Sequence, residues 1–337
     1  MDKHSIKKIL LSLGLAVVAL LPVRAQQNIQ FTQYMFNSLS VNPAYAGYKE
    51  EWFAQTALRN QWVGIDGAPK TGQLSLDGVI DHNKNLGIGV QVTADKLASQ
   101  TANSIYANLA YRLRLNEEDT QRLSFGIAAG LTQYGLDGTM LIPIDDLDNA
   151  LPMGKVGNFI PDVRIGTYYY NPKWYIGVSL MDLLSGDKSN SLFRWEDGTA
   201  TNIKRKRHVY LITGFLFDLS DQIKFRPSLL VKEEFKGPTT EDISAMFIFK
   251  DRFWIGGSYR TGIDLWNKDY DKNQNDLSQA NALAAIAQFY ATERLRIGYS
   301  YDYMLNGLRG NQNGSHEITL GLTFGKGFKR IMNPRYF

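Results

Sequence analysis

The stretch Leu86-Gly87-Ile88-Gly89-Val90-Gln91-Val92-Thr93-Ala94-Asp95 sorts its side chains by parity. Leu86, Ile88, Val90, Val92 and Ala94 are apolar, while Gly87, Gly89, Gln91, Thr93 and Asp95 are small or polar. A period of two belongs to a β-strand, and about ten residues is the length at which a tilted strand crosses a bilayer. The same division returns in Ile105, Ala107, Leu109, Tyr111 and Leu113, in Leu123, Phe125, Ile127, Ala129 and Leu131, and in Ile318, Leu320, Leu322 and Phe324. None of these apolar faces carries a charge. A Lys or Arg facing lipid at mid-bilayer costs about 2–4 kcal/mol, whereas the opposite face of a barrel strand tolerates it. Arg112, Arg114, Arg164, Lys224, Arg226, Arg296 and Asp302 all fall on that opposite face.

Fourteen such segments can be placed, near 51–61, 71–80, 85–95, 101–114, 122–134, 162–170, 173–182, 205–218, 222–233, 241–250, 252–261, 280–290, 294–303 and 315–325. The twelfth is alanine-rich enough to pass for a helix, and Pro227 calls for a bulge inside the ninth because it donates no ladder bond. Connections alternate in length. Asp81 to Lys84, Leu115 to Gln121, Asn171-Pro172, Leu219 to Asp221, Asp251 and Ala291 to Glu293 are short. Gly135 to Pro161, Leu183 to Lys204 and Gly262 to Gln279 are long. Short periplasmic turns alternating with longer external loops are a property of outer-membrane barrels. The expectation is an all-β, transmembrane antiparallel barrel of about fourteen strands, and closure is obligatory because hydrocarbon offers no partner to an open edge. Trp52, Tyr111, Tyr169, Trp174, Tyr301, Tyr303 and Phe324 fall where an interfacial aromatic girdle would sit.

Composition narrows the function classes. The chain has 337 residues, 44% hydrophobic and 21% charged, with a formal charge of +4 and no cysteine; its mean hydropathy is −0.26. So weak a basic excess does not suit a nucleic-acid binder, and the missing cysteines exclude disulfides, thiolate metal sites and cysteine nucleophiles. Residues 1–25 read as a signal peptide: Lys3, Lys7 and Lys8, an apolar run from Ile9 to Leu21, then Val23-Arg24-Ala25 before Gln26. That run is too short to span a bilayer as a helix.

Catalysis and metal binding find little support. His82, His208 and His316 have no paired spacing for zinc, and Ser315 beside His316 points to opposite strand faces, so no enzyme is expected and no cofactor. Asp269, Asp271, Asn273 and Asn275 place oxygens at alternate positions as calcium loops do, but Gln274 replaces the glycine and Ala280 the bidentate glutamate, which leaves a weak calcium candidate. Lys204-Arg205-Lys206-Arg207 sits at the expected external rim, where cations can meet lipopolysaccharide phosphates or simply be solvated.

Two segments stand outside the alternation, 26–50 as a plug or periplasmic-mouth segment and 326–337 as a basic periplasmic tail, flanking a barrel over 51–325. The first contains Gln30-Phe31-Thr32-Gln33-Tyr34-Met35-Phe36-Asn37 and then Asn42-Pro43-Ala44-Tyr45-Ala46-Gly47; the chain closes with Asn333-Pro334-Arg335-Tyr336-Phe337. Both motifs resemble the opening and ending of the PorP/SprF family of the type IX secretion system, with Ser38 where members often carry proline. The resemblance implies a Bacteroidota outer-membrane protein serving type IX secretion, and the alternation of loop lengths puts both termini on the periplasmic side. It would assist secretion or surface attachment of a partner, which is a large gliding adhesin in the SprF-like branch or secretion machinery and its periplasmic ring in the PorP-like one. It supplies no catalytic residue. Phe31, Tyr34, Phe36, Asn42, Pro43, Tyr45, Asn333, Pro334 and Arg335 are accordingly interaction candidates only. A barrel of this width is not filled by its own wall side chains, so residues 26–48 are expected against the lumen or mouth with Phe31, Tyr34, Phe36 and Tyr45 buried. The alternative reading is a passive channel or hydrophobic-solute transporter.

Overall fold

The computed structural model describes residues 29–141, 154–184, 207–235, 239–263, 265 and 281–324. Its strands are β1 (Trp52–Asn60), β2 (Lys70–Val79), β3 (Leu86–Leu97), β4 (Gln100–Arg114) and β5 (Arg122–Asp137). They continue as β6 (Lys155–Tyr170), β7 (Trp174–Met181), β8 (His208–Phe215), β9 (Phe217–Ser220) and β10 (Ile223–Glu233). The last five are β11 (Thr239–Phe249), β12 (Phe253–Ile263), β13 (Ala282–Tyr290), β14 (Leu295–Met304) and β15 (Ser315–Phe324). Neighbours in sequence are neighbours in space throughout, all antiparallel, and β8 with β9 makes one stave interrupted at Leu216. The described residues therefore form a closed barrel of fourteen staves. The ring shuts where its ends meet: β1 pairs with β15 from Trp52↔Phe324 to Asn60↔His316. Among the described residues no helix is long and apolar enough to cross a membrane; the crossing is made by strands.

Parity decides which side chains face out. Val90, Val92, Leu109, Ile127 and Leu320 are exposed on the outer wall, Leu109 and Ile127 each at 48%, while Gln91, Asn108, Arg112, Ser124 and Glu317 are buried within. Outward hydroxyls are spent on the wall itself, Thr56 donating to the carbonyl of Gln73 at 2.9 Å and Thr213 to that of Tyr175 at 2.8 Å, as a bilayer without water requires. At the short-turn end the rings of Tyr169, Trp174, Phe215, Phe217, Phe225 and Phe247 follow one another with centroids 4.8–6.4 Å apart. This is an aromatic belt of the kind that sits at headgroup level.

Most of the loop asymmetry holds. Connections 80–85, 115–121, 171–173, 221–222, 250–252 and 291–294 join strand ends on one side of the barrel; those joining the opposite strand ends include the longer 61–69, 138–154, 182–207, 264–281 and 305–314, but also the two-residue 98–99 and the five-residue 234–238. At 250–251, Lys250 and Asp251 both adopt positive φ (51° and 54°) and the Arg252 amide returns to the Phe249 carbonyl at 3.0 Å, the turn whose twist matches paired strands.

Two local expectations change, and one ambiguous segment is a strand as placed. The alanine-rich twelfth segment is β13, Ala282–Tyr290, where ladder partners on both sides override alanine's helical propensity. The sixth strand starts at Lys155 rather than Pro161-Asp162, because residues 155–161 pair with 131–137 of β5, which shortens the long connection to 138–154. Pro227 produces no bulge in its own strand: β10 runs in unbroken register against β11, Pro227 opposite Ala245. On its other side the ladder is interrupted at Leu216, between β8 and β9, with the register unchanged across the gap from Phe225↔Phe217 to Ser228↔Gly214; a separate slip lies between Ile223 and Lys224. The missing amide costs a bond on one side only.

Ile127→Arg places a guanidinium in hydrocarbon and is expected to lower barrel stability in lipid vesicles by about 2–4 kcal/mol, read as a shift of the urea midpoint, whereas Glu117→Arg in the 115–121 turn leaves it unchanged within about 0.5 kcal/mol.

Candidate functional site

Residues 29–50 run inside the barrel. Three single 3₁₀ turns, Tyr34–Phe36, Ser38–Ser40 and Pro43–Tyr45, succeed one another with no helix long enough to stand alone, so the path is held by the wall. Thr32 and Gln33 meet Asp302 and Glu317 close to the long-loop ends of β14 and β15. Gly47 donates to Asp77 near the short-turn end of β2 at 2.9 Å. The described chain thus starts on the long-loop side of the lumen and leaves on the short-turn side into β1.

Electrostatics register the first turn. Glu317 accepts the amides of Thr32 and Gln33 at 2.8 and 3.0 Å through its two oxygens, and it pairs with Arg59 at 3.0 Å. Arg59 reaches Asp302 at 2.7 Å and donates to the Thr32 hydroxyl at 2.8 Å, which itself donates to Asp302 at 2.6 Å. Arg260 pairs with Asp242 at 2.7 Å and approaches Asp302 at 3.5 Å. Two guanidinium groups face three carboxylates here, all buried, and the amides freed at the start of a 3₁₀ turn supply the remaining positive charge. Lower down the polarity reverses. Arg226 donates to the Met35 carbonyl at 3.3 Å and Arg296 to the Phe36 carbonyl at 3.2 Å. Both guanidinium groups lie over the Phe36 ring, at 5.5 and 5.3 Å. Amides meet the acidic wall and carbonyls the basic wall.

The second half is seated by space. A Cβ on Gly126 would stand 2.2 Å from the Ala44 nitrogen, and one on Gly87 would stand 2.0 Å from the Ala46 carbonyl oxygen. Only glycine permits that approach. Asn42 enters between β6 and β7, donating to the Thr167 carbonyl at 2.9 Å while its own side-chain oxygen takes the Ala44 amide at 2.9 Å. Tyr45 stacks on Tyr48 at 4.9 Å, and Tyr48 abuts Tyr170 at 4.7 Å. At the short-turn mouth Glu50 accepts from Arg112 at 3.3 Å and Lys84 at 2.6 Å. Arg112 and Arg122 both donate to the Lys84 carbonyl, at 3.0 and 2.7 Å.

Of the sequence-based candidates, Phe31, Tyr34, Phe36, Asn42, Pro43 and Tyr45 are all buried inside the barrel, and they touch the wall and one another. Asn333, Pro334 and Arg335, the calcium candidate Asp269, Asp271, Asn273 and Asn275, the cluster Lys204 to Lys206, and the signal-peptide and basic-tail segments lie outside the described residues. The expected periplasmic placement of both termini falls there too. Sequence reading passed over Arg59, Gly126, Asp242, Arg260 and Glu317, and it treated Gly87 merely as small. Their inward parity was available; that they face one segment was not.

Gly126→Val is expected to displace residues 43–46 while the barrel persists. In an Ala44→Cys background of this cysteine-free chain, maleimide labelling of the folded barrel should rise at least tenfold. Arg59→Ala leaves buried Asp302 and Glu317 short of their cation and should cost about 3–5 kcal/mol, measured by urea unfolding in detergent.

The sequence matches the model of a family described as "Type IX secretion system membrane protein PorP/SprF" over residues 23–322. No curated protein matches it. Among solved structures it is similar to a Pseudomonas aeruginosa FadL homologue at 12% identity and TM-score 0.44, covering 84% of this chain and 91% of that one. It is also similar to the Ralstonia pickettii toluene transporter TbuX, at 9% identity and TM-score 0.48, covering 86% and 93%. Strand alternation, ring closure and the seated opening motif agree with a family match across nearly the whole chain: the protein belongs to the PorP/SprF family of type IX secretion system membrane proteins.

Proposed function

We propose that this barrel is a non-catalytic docking component of type IX secretion in the outer membrane, assisting secretion or surface attachment of a partner protein through its long loops. The observation that carries the reading is the occupied lumen: residues 31–48 are almost wholly buried and bonded to strands around the ring, among them β1, β5, β7, β10, β14 and β15. A lumen filled by its own chain suits a platform better than a conduit. Family membership supports the secretion context. A large secreted gliding adhesin is the partner in the SprF-like form of the proposal; periplasmic ring components are the partners in the PorP-like form. Outer-membrane lipid is the partner of the apolar wall.

In planar bilayers the full barrel is expected to be silent, and deletion of residues 29–48 should open a stable conductance. The detergent-solubilised barrel should copurify with a secreted surface protein or with ring components. A large steady conductance from the intact protein, with neither partner recovered, would replace this reading with the passive channel.

A further inference from the structure

Strands β4 to β7 start level at the short-turn end, where Arg114 lies opposite Arg122, Arg122 opposite Tyr170 and Tyr170 opposite Tyr175. Their lengths then diverge, with 16 residues each in β5 and β6 and 8 each in β7 and β8. The whole difference falls on the long-loop side. There β6 pairs with β7 only as far as Ile165↔Leu180, while its ladder with β5 continues to Asp137↔Lys155. The chain leaving β7 closes the edge a little farther, the Leu183 amide donating to the Val163 carbonyl at 3.2 Å and the Leu184 amide to the Asp162 carboxylate at 3.3 Å. Beyond that, residues 155–161 have β5 on one side and no hydrogen-bonded partner on the other among the described residues. At the usual rise of a strand they offer roughly 20 Å of open edge.

Alternation says which groups this edge presents. The Val163 carbonyl points to the β7 side, and β6 keeps an unbroken register against β5, so the backbone groups of Phe159, Gly157 and Lys155 point the same way. So does the nitrogen of Pro161, which has no hydrogen to offer, as suits an edge. Ile160, Asn158 and Val156 are left to serve the β5 ladder. Lys155 and Pro161 are residue types that guard natural edges against indiscriminate pairing; here they bracket Gly157 and Phe159 without covering them. Phe159 is 65% exposed, the highest value of any large apolar side chain among the described residues. Across the sheet it meets Gln133 and then Asn103, both exposed, whereas one outward position lower Pro161 lies beside Leu131 and Ile105. The outer wall turns from apolar to polar at this level, so Phe159 stands above the hydrocarbon band.

An open backbone edge beside an unmatched apolar side chain is the surface that strand addition uses. Resting on the docking reading above, we propose that residues 155–161 of β6 receive an extended segment of the secreted partner as an added strand. Gly157 and Phe159 supply the backbone bonds, and the Phe159 ring meets an apolar side chain of the incoming segment. A second copy of the barrel does not suit the edge. Copies in one membrane are related by an axis along its normal, which leaves their β6 strands running the same way, whereas two like edges pair antiparallel only when one is reversed. A segment arriving from a secreted protein carries no such constraint, and the edge rises on the side of the long loops.

The test uses the full barrel isolated in detergent with the surface protein that copurifies with it. Phe159→Pro removes one donor from the open edge and leaves the β5 ladder whole, a change that Pro161 shows this edge accepts; Phe159→Ala keeps the donor and removes the ring. Phe159→Pro is expected to lower recovery of the partner at least tenfold, and Phe159→Ala by no more than about threefold. Exchange of the Phe159 amide should be fast in the barrel alone and at least tenfold slower in the complex. Heat-modifiable gel mobility checks that each barrel is folded, and protected amides at Asn158 and Ile160 check that the hairpin is intact. Undiminished recovery with a folded Phe159→Pro barrel would overturn the added strand and leave the docking role standing. Equal losses with proline and alanine would assign the contact to the ring and likewise overturn it. Slow exchange of the Phe159 amide in the barrel alone would do so too, because residues 185–206 or a second copy would then hold the edge already. Recovery of no surface protein by the unaltered barrel would remove the docking reading and this one with it.

Discussion

Hydrocarbon offers a backbone amide nothing to bond to, and every other feature of this molecule follows from that. Fourteen staves can satisfy their ladders only as a ring, so the first strand must lie against the last, and the pairing of β1 with β15 is what shuts it. A ring of this circumference encloses more space than its inward side chains fill. The wall can then bury charge inside at a cost it could not bear outside, provided that something in the lumen completes the pairing.

That completion comes from the chain itself. Glu317 is buried with one guanidinium and two amides on it, and the two amides belong to Thr32 and Gln33. Arg226 and Arg296 donate to the carbonyls of Met35 and Phe36 farther along the segment. The segment has too little regular structure to hold a shape in water, and the wall has too many unmatched charges to remain dry without it. Each supplies the other's missing partners. Such mutual satisfaction explains how a run of aromatics and single turns takes up one path through a barrel.

Legibility varied with the range of the interaction. Alternation in 86–95 or 122–131 is local, so strand identity and facing could be read residue by residue. The Ala282–Tyr290 segment was ambiguous because alanine has little preference once ladder partners exist, and the start of β6 was hidden because Pro161 suggested a boundary that its position in the ladder tolerates. Pro227 was recognised as a disturbance, but its effect is an interrupted ladder on one side rather than a bulge, since a missing amide breaks the bond to one neighbour and only the topology says which. At the candidate site, Phe31, Tyr34, Phe36 and Tyr45 stood out as aromatics with no alternation to explain them. Arg59 and Glu317 did not, because an inward charge on a single strand has no visible partner.

The amino-acid order by itself determined the class of solvent on each face, the tally of staves and the parity of the loops, since these depend on neighbours one or two positions away. Only the closed ring decided that Arg59 faces Glu317 across 258 residues, that Gly126 lies beneath Ala44, and that β6 meets β7 only along Ile165–Tyr170. The physical reason is that these contacts are set by circumference and register around the barrel, quantities that no single strand contains.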